Sequence, residues 1–140
     1  MAQRFALAVA SRVERLGEVA AFVENAARTC GLNEKQMYDV QMAVDEACSN
    51  VIEHAYRGKT NGKIEIVCEV RGKEFVITIR DYGTPFDPKQ VARPNTHAPL
   101  SERNIGGLGL FFMYQLMDRV EFDFSSQQGN RLTMTKKIKG

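Results

Sequence analysis

The chain has 140 residues, of which 44% are hydrophobic and 26% charged, and its 19 Lys plus Arg against 17 Asp plus Glu leave a net charge of +2. A chain of that length makes one domain that buries roughly 68–70% of its unfolded surface, so a core forms without disulfide staples and disorder is disfavoured. The near-neutral balance gives no electrostatic case for nucleic acid or an anionic membrane surface as the partner.

Taken in chain order, Phe5, Leu7 and Val9 alternate with alanines and predict a first β-strand. Arg4 and the apolar residues after it mimic a secretory signal, but the run is shorter than the ~7–15 apolar residues such a region needs. No stretch approaches the roughly 18 apolar residues of a membrane span. The cysteines, Cys30, Cys48 and Cys68, number 3 and show no zinc-ligand spacing, which fits a reducing compartment. A cytoplasmic location is the expectation.

Ser11 and Glu14 form a Ser-x-x-Glu pattern that predicts a capping box. The apolar series Val13, Leu16, Ala20, Val23, Ala27 and Cys30 then reads as an amphipathic helix stopped by Gly31. Asn33 and Gln36 open a second helix in the same way, with Met37, Val40, Val44, Ala47 and Val51 as its buried stripe and Gly58 as its end. Ile64/Ile66/Cys68/Val70 and Phe75/Ile77/Ile79 alternate around Arg71-Gly72-Lys73 and predict a hairpin. Residues 84–105 hold all 4 prolines and no apolar period, the mark of a functional loop. A short buried helix over residues 108–117 and a last hairpin, Val120/Phe122/Phe124 with Leu132/Met134, complete the order. Short turns between strands imply antiparallel pairing, so the expected fold is α+β, a mostly antiparallel sheet covered on one face by helices in two layers, with residues 1–140 as a single domain.

Three groups of residues can carry chemistry. Glu46, Asn50 and His54 fall within about 80° on the second helix, away from its apolar stripe. A carboxylate, an amide and an imidazole in a row can bind a hydrated cation and take a proton from a nucleophile, or can equally be a solvated helix face. Asp81-Tyr82-Gly83-Thr84-Pro85-Phe86-Asp87-Pro88 ends an apolar strand. An Asp there can accept from an exocyclic amine, with Gly83 allowing close approach of a base; the plain alternative is an Asp-x-Gly turn. Gly106-Gly107-Leu108-Gly109-Leu110 places free backbone N–H groups at a helix start, where phosphate oxygens bind, although glycines there also permit tight helix packing.

In this order the three groups resemble the N, G1 and G2 boxes of the GHKL ATPase superfamily. His54-Ala55-Tyr56, Phe86-Asp87-Pro88, the Gly106 to Leu110 run and Met117-Asp118-Arg119-Val120 resemble most closely the anti-sigma-factor serine/threonine kinases of partner-switching systems. The resemblance implies a Bergerat-type ATP-binding fold, ATP and Mg²⁺ as cofactors, and Glu46 as the general base. It further implies Asn50 as the Mg²⁺ ligand, Asp81 on the adenine amino group with Gly83 beside the base, Gly107, Leu108 and Gly109 at the phosphates, and residues 84–105 as the ATP lid. Arg103 is placed to reach the γ-phosphate as the lid closes. Many members carry Thr after the glycine of the final hairpin, where this chain has Asn130, with Thr133 further on; the role of that position stays open. Arg12 or Arg15 could belong to a partner-binding surface, or be solvated charges.

The function the resemblance implies is a serine/threonine-protein kinase and anti-sigma factor. It would sequester a sigma factor and phosphorylate an anti-anti-sigma protein, with homodimer formation common in the branch and no direct contact with nucleic acid or membrane. A passive ATP-binding module and a histidine-kinase catalytic domain are the competing readings. Against the latter, the only histidines are His54, inside a motif, and His97, in the loop.

Overall fold

The structure is a computed structural model that describes residues 3–87, 113–124 and 128–138. Strand β1 (Arg4–Ala10) leads through a 3-10 turn (Val13–Arg15) into helix α1 (Leu16–Thr29) and then helix α2 (Glu34–Asn50). The end of α2 widens into a π-helical turn (Val51–Ala55), followed by β2 (Lys63–Arg71), β3 (Glu74–Asp81), β4 (Arg119–Asp123) and β5 (Asn130–Lys137). All adjacent strands are antiparallel in a five-stranded sheet of order β1-β2-β3-β5-β4. The α+β architecture expected from the sequence is therefore present. Residues 113–116 are helical, inside the stretch predicted as the third helix.

Alternation decides which sheet face is buried. Ile64, Ile66 and Cys68 of β2, Phe75, Ile77 and Ile79 of β3, and Leu132 and Met134 of β5 are nearly inaccessible and form one core with the helices. The register stacks Ile66 on Ile79 and Ile77 on Met134, so these apolar side chains make cross-strand rows. Met37, Val40, Val44, Ala47 and Val51 are all buried beneath them, as the helical period requires.

Helix ends differ in how well local sequence foretells them. At α2, Asn33 accepts from the Gln36 backbone N–H at 2.8 Å while the Gln36 side chain accepts from Asn33 N at 3.1 Å. Gln36 also donates to the Lys137 carbonyl at 2.8 Å, tying the start of α2 to the end of β5. At the end of α1, Gly31 takes φ +92° and the Leu32 N–H bonds the Ala27 carbonyl at 3.0 Å, a Schellman ending.

The Ser11–Glu14 pattern does not form a capping box. Ser11 instead donates to the Lys59 carbonyl at 2.5 Å and accepts from Gly62 N at 3.0 Å, stapling β1 to the turn before β2. The α-helix starts at Leu16, its buried stripe is Val19, Val23, Ala26 and Ala27, and Val13 is 65% exposed.

Candidate functional site

α2, β3 and β5 converge on one pocket. Ala47, Asn50 and Val51 line it from the helix, Ile79 and Asp81 from β3, and Asn130 and Leu132 from β5, with Phe86, Met113, Phe122 and Phe124 closing the sides. Its free space is about 20 Å³, room for roughly one water. The aromatic sides form a chain of ring contacts: His54 to Phe86 at 5.6 Å, Phe86 to Phe124 at 5.7 Å and Phe124 to Phe122 at 5.8 Å.

Asp81 is the last residue of β3 and is 4% exposed. Its Oδ1 accepts from Gly83 N at 2.9 Å and from Asn130 Nδ2 at 2.8 Å, so Oδ2 is left without a hydrogen bond among the described residues. Burial pushes the carboxyl above its ordinary value, and the bonds from Asn130 and Gly83 pull it back. A buried carboxylate with one oxygen held and the other free is suited to accept from a ligand amine.

Gly83 is required by the helix beside it. A Cβ there would stand 2.6 Å from the Ala55 carbonyl oxygen and 2.7 Å from its carbon. That same carbonyl, at the end of the π-helical turn, accepts from Thr84 N at 2.9 Å, so the root of the long loop is docked on α2's extension. Tyr56 braces this corner: its hydroxyl donates to the Lys63 carbonyl at 2.6 Å and accepts from Tyr82 N at 2.8 Å. Gly62 lies so close that a Cβ would be 2.4 Å from the Tyr56 ring.

The N-box face of α2 is not a solvated surface. Asn50 is 6% exposed, and its amide makes no hydrogen bond among the described residues. Glu46 is half-buried, and burial first, then Asp45 and Glu53, raise its carboxyl above the usual range. A raised value moves a carboxylate toward the proton affinity a general base needs. His54 stands on the π-helical turn, where each residue advances less than the ~100° of an α-helix. Its Nε2 is buried without a hydrogen bond among the described residues, 3.9 Å from a Glu53 oxygen.

Glu46, Asn50 and His54 therefore follow one another along α2 and its extension, and Asn50 shares the pocket with Asp81. Arg103, Gly107, Leu108 and Gly109 lie outside the described residues, as do His97 and the loop from residue 88 to 105. Arg12 and Arg15 are exposed. Thr133 is on the opposite sheet face, in a row with Thr78 and Glu121, so it does not reach the pocket. Asn130 does: its amide also donates to the Gly83 carbonyl at 3.0 Å. No sequence periodicity singles it out; the register pairing Asp81 with Asn130 does.

A profile described as the histidine kinase-like ATPase domain matches residues 9–136. The serine-protein kinase RsbW of Bacillus subtilis is 30% identical over 136 residues, covering 94% of this chain and 84% of the relative. The anti-sigma F factor of Clostridium novyi is 34% identical over 123 residues, covering 86% and 82%. Among solved structures, the RsbU and RsbW domains of a Mycobacterium tuberculosis protein superpose with TM-score 0.70 at 15% identity, covering 97% of this chain and 32% of that one. The chain thus spans about a third of that protein's length. The catalytic domain of histidine kinase ThkA, nucleotide-free, gives TM-score 0.55 at 14% identity over 99% of this chain.

Proposed function

Because the chain belongs to the histidine kinase-like ATPase family, among the RsbW serine-protein kinases and anti-sigma F factors, we propose that it is an ATP-dependent serine/threonine-protein kinase and anti-sigma factor. It sequesters a sigma factor and phosphorylates a small antagonist protein. The observation that carries this reading is the convergence of Asn50 and Asp81 on one pocket, with Glu46 one turn earlier on α2. The kinship over most of the chain's length supports it.

Each residue has a distinct task. Asp81 Oδ2 accepts from the adenine amino group, and Ile79, Phe86 and Leu132 give the base apolar walls. Asn50 offers toward the phosphates a buried amide that makes no hydrogen bond among the described residues. Mg²⁺ takes one or two protein ligands and draws the rest from phosphates and water, and Asn50 is the ligand that this reading gives it. When bound, the ion neutralises charge on the phosphate oxygens.

Glu46 takes the proton of the partner's hydroxyl as that oxygen bonds the γ-phosphorus and the bond from phosphorus to the β–γ bridging oxygen breaks, releasing ADP. The added ~−1.5 to −2 charge on the partner disrupts its interface with the kinase. Arg103 and the glycines 107 and 109 belong to the phosphate end of this proposal.

The test recovers partners from lysate with ATP or ADP present and follows labelled phosphate transfer to them. Glu46→Ala should keep ATP binding and lose about 10²–10⁴-fold in transfer rate. Transfer undiminished by Glu46→Ala removes Glu46 as the base. Partner binding with no transfer by the wild-type chain makes the protein a passive module.

A further inference from the structure

Three consecutive residues of β5 grip the short helix at residues 113–116 and the turn after it. The Thr135 carbonyl accepts from Asp118 N at 2.9 Å, and Lys137 N donates to Asp118 Oδ2 at 2.6 Å. Between them Lys136 reaches the helix side of the sheet. Its Nζ donates to the Leu116 carbonyl, at the helix end, and to Asp39 Oδ2 on α2 at 3.2 Å. Asp39 is 6% exposed and the Lys136 side chain 14%, so the ion pair is nearly buried. The second lysine on that carboxylate, Lys35 at 3.3 Å, is exposed and contributes little. Asp39 falls within about 40° of Glu46 and Asn50 on α2, about two turns or ~10 Å before Glu46. The pair thus fastens the helix end to the stripe of α2 that carries both site residues. One turn back from Met117, whose N–H bonds the Met113 carbonyl at 3.0 Å, Met113 is 1% exposed and lines the pocket with Ala47 and Asn50.

We infer that Asp39 and Lys136 are positioning residues for the phosphate end of the nucleotide site, fixing the wall at Met113 relative to Asn50. The inference rests on the nucleotide-site reading above and extends it to residues that touch no nucleotide. A buried ion pair is often no more stabilising than apolar side chains of similar volume. What this one supplies is a set distance. The Leu116 carbonyl, at the helix end, lacks a partner within the helix, and the ammonium bridges it to the carboxylate in one fixed geometry. The route to the pocket runs through the helix at residues 113–116 and not along the sheet. Asp81 is held by its own bonds to Gly83 and Asn130, so loosening the pair leaves the base end in place. The loss falls on what the phosphates contribute to binding.

The experiment exchanges the pair for apolar residues in the full chain, Asp39→Leu together with Lys136→Met, which keeps the net charge and removes the tether. Titration calorimetry measures ATP and adenosine binding with Mg²⁺, and urea unfolding follows the fold. The exchange variant should unfold at a urea concentration near that of wild type. It should bind adenosine as wild type does and lose about tenfold in ATP affinity. Lys136→Arg, which keeps a cation beside both oxygens, should retain most of the ATP affinity. A folded exchange variant with unchanged ATP affinity overturns the inference. Equal losses for ATP and adenosine also overturn it, since the pair is then a general structural tie. If the exchange variant does not fold, Asp39→Asn, close in shape to the native residue, decides by the same ratio. The wild-type chain separates the two levels. If it prefers ATP to adenosine and the exchange variant keeps that preference, only the role of the pair fails. If it binds ATP no more tightly than adenosine, the phosphate end of the nucleotide-site reading fails and takes the inference with it.

Discussion

At the scale of single residues, Asp81 carries a charge that burial disfavours. Its folded carboxyl titrates above its unfolded value because burial outweighs the bonds from Asn130 and Gly83. The fold binds that proton more tightly than the unfolded chain does, so the stabilising contribution is present in acid and is lost as pH rises through the raised value. At neutral pH the ionised carboxylate is therefore a cost. In Asp81→Asn the new Oδ1 keeps both hydrogen bonds and the charge is gone. Its thermal midpoint should match or exceed wild type at pH 7, with the difference closing near pH 3, while ATP affinity drops roughly 10- to 100-fold. A midpoint clearly below wild type at pH 7 would mean that the charge stabilises the fold. Asp81 and Glu46 are legible in the sequence because each stands at a marked place, a strand end or a helix face. For Asn130 the sequence marks only a position after the final-hairpin glycine; its partner lies 49 residues away, and strand register alone brings the two together.

At the scale of elements, the corner between α2 and the sheet holds the site in place. The Tyr56 hydroxyl serves the backbone at Lys63 and Tyr82, next to Asp81. Tyr56→Phe removes these part-buried bonds together and should cost about 1–3 kcal/mol. Urea unfolding should show a lower midpoint at unchanged slope, and ATP binding should weaken as the end of β3 loosens. An unchanged midpoint would show that the ring, packed over Gly62, suffices without its hydroxyl. The second helix was readable because cap, stripe and stop all agree locally. The same cap pattern misled at Ser11, whose hydroxyl finds Lys59 and Gly62 across the fold instead of the helix start. The π-helical turn was hidden for a related reason: its last carbonyl is satisfied by Thr84, a partner that sequence near Ala55 does not announce.

At the scale of the whole molecule, stability and site are spatially separable. Phe75 is fully buried and pairs with Val70 and Lys136 at the end of β3 remote from Asp81. Phe75→Ala should cost about 3–5 kcal/mol in denaturant unfolding, yet leave ATP affinity unchanged under conditions where the chain stays folded. A matching loss of affinity would mean that the core and the pocket are coupled along β3. Hairpins and helix faces were legible from period and turn residues, but the sheet order was not, because alternation says which face is buried and not which strand lies beside which. That order has a consequence for synthesis. A chain leaving the ribosome presents α2 and β3 early, yet β5, the strand between β3 and the edge strand β4, comes last. Until residues 130–137 emerge, Asp81 has no Asn130 and β4 has no neighbour to join. Nascent chains therefore carry an unfinished pocket until β5 has joined β3 and β4.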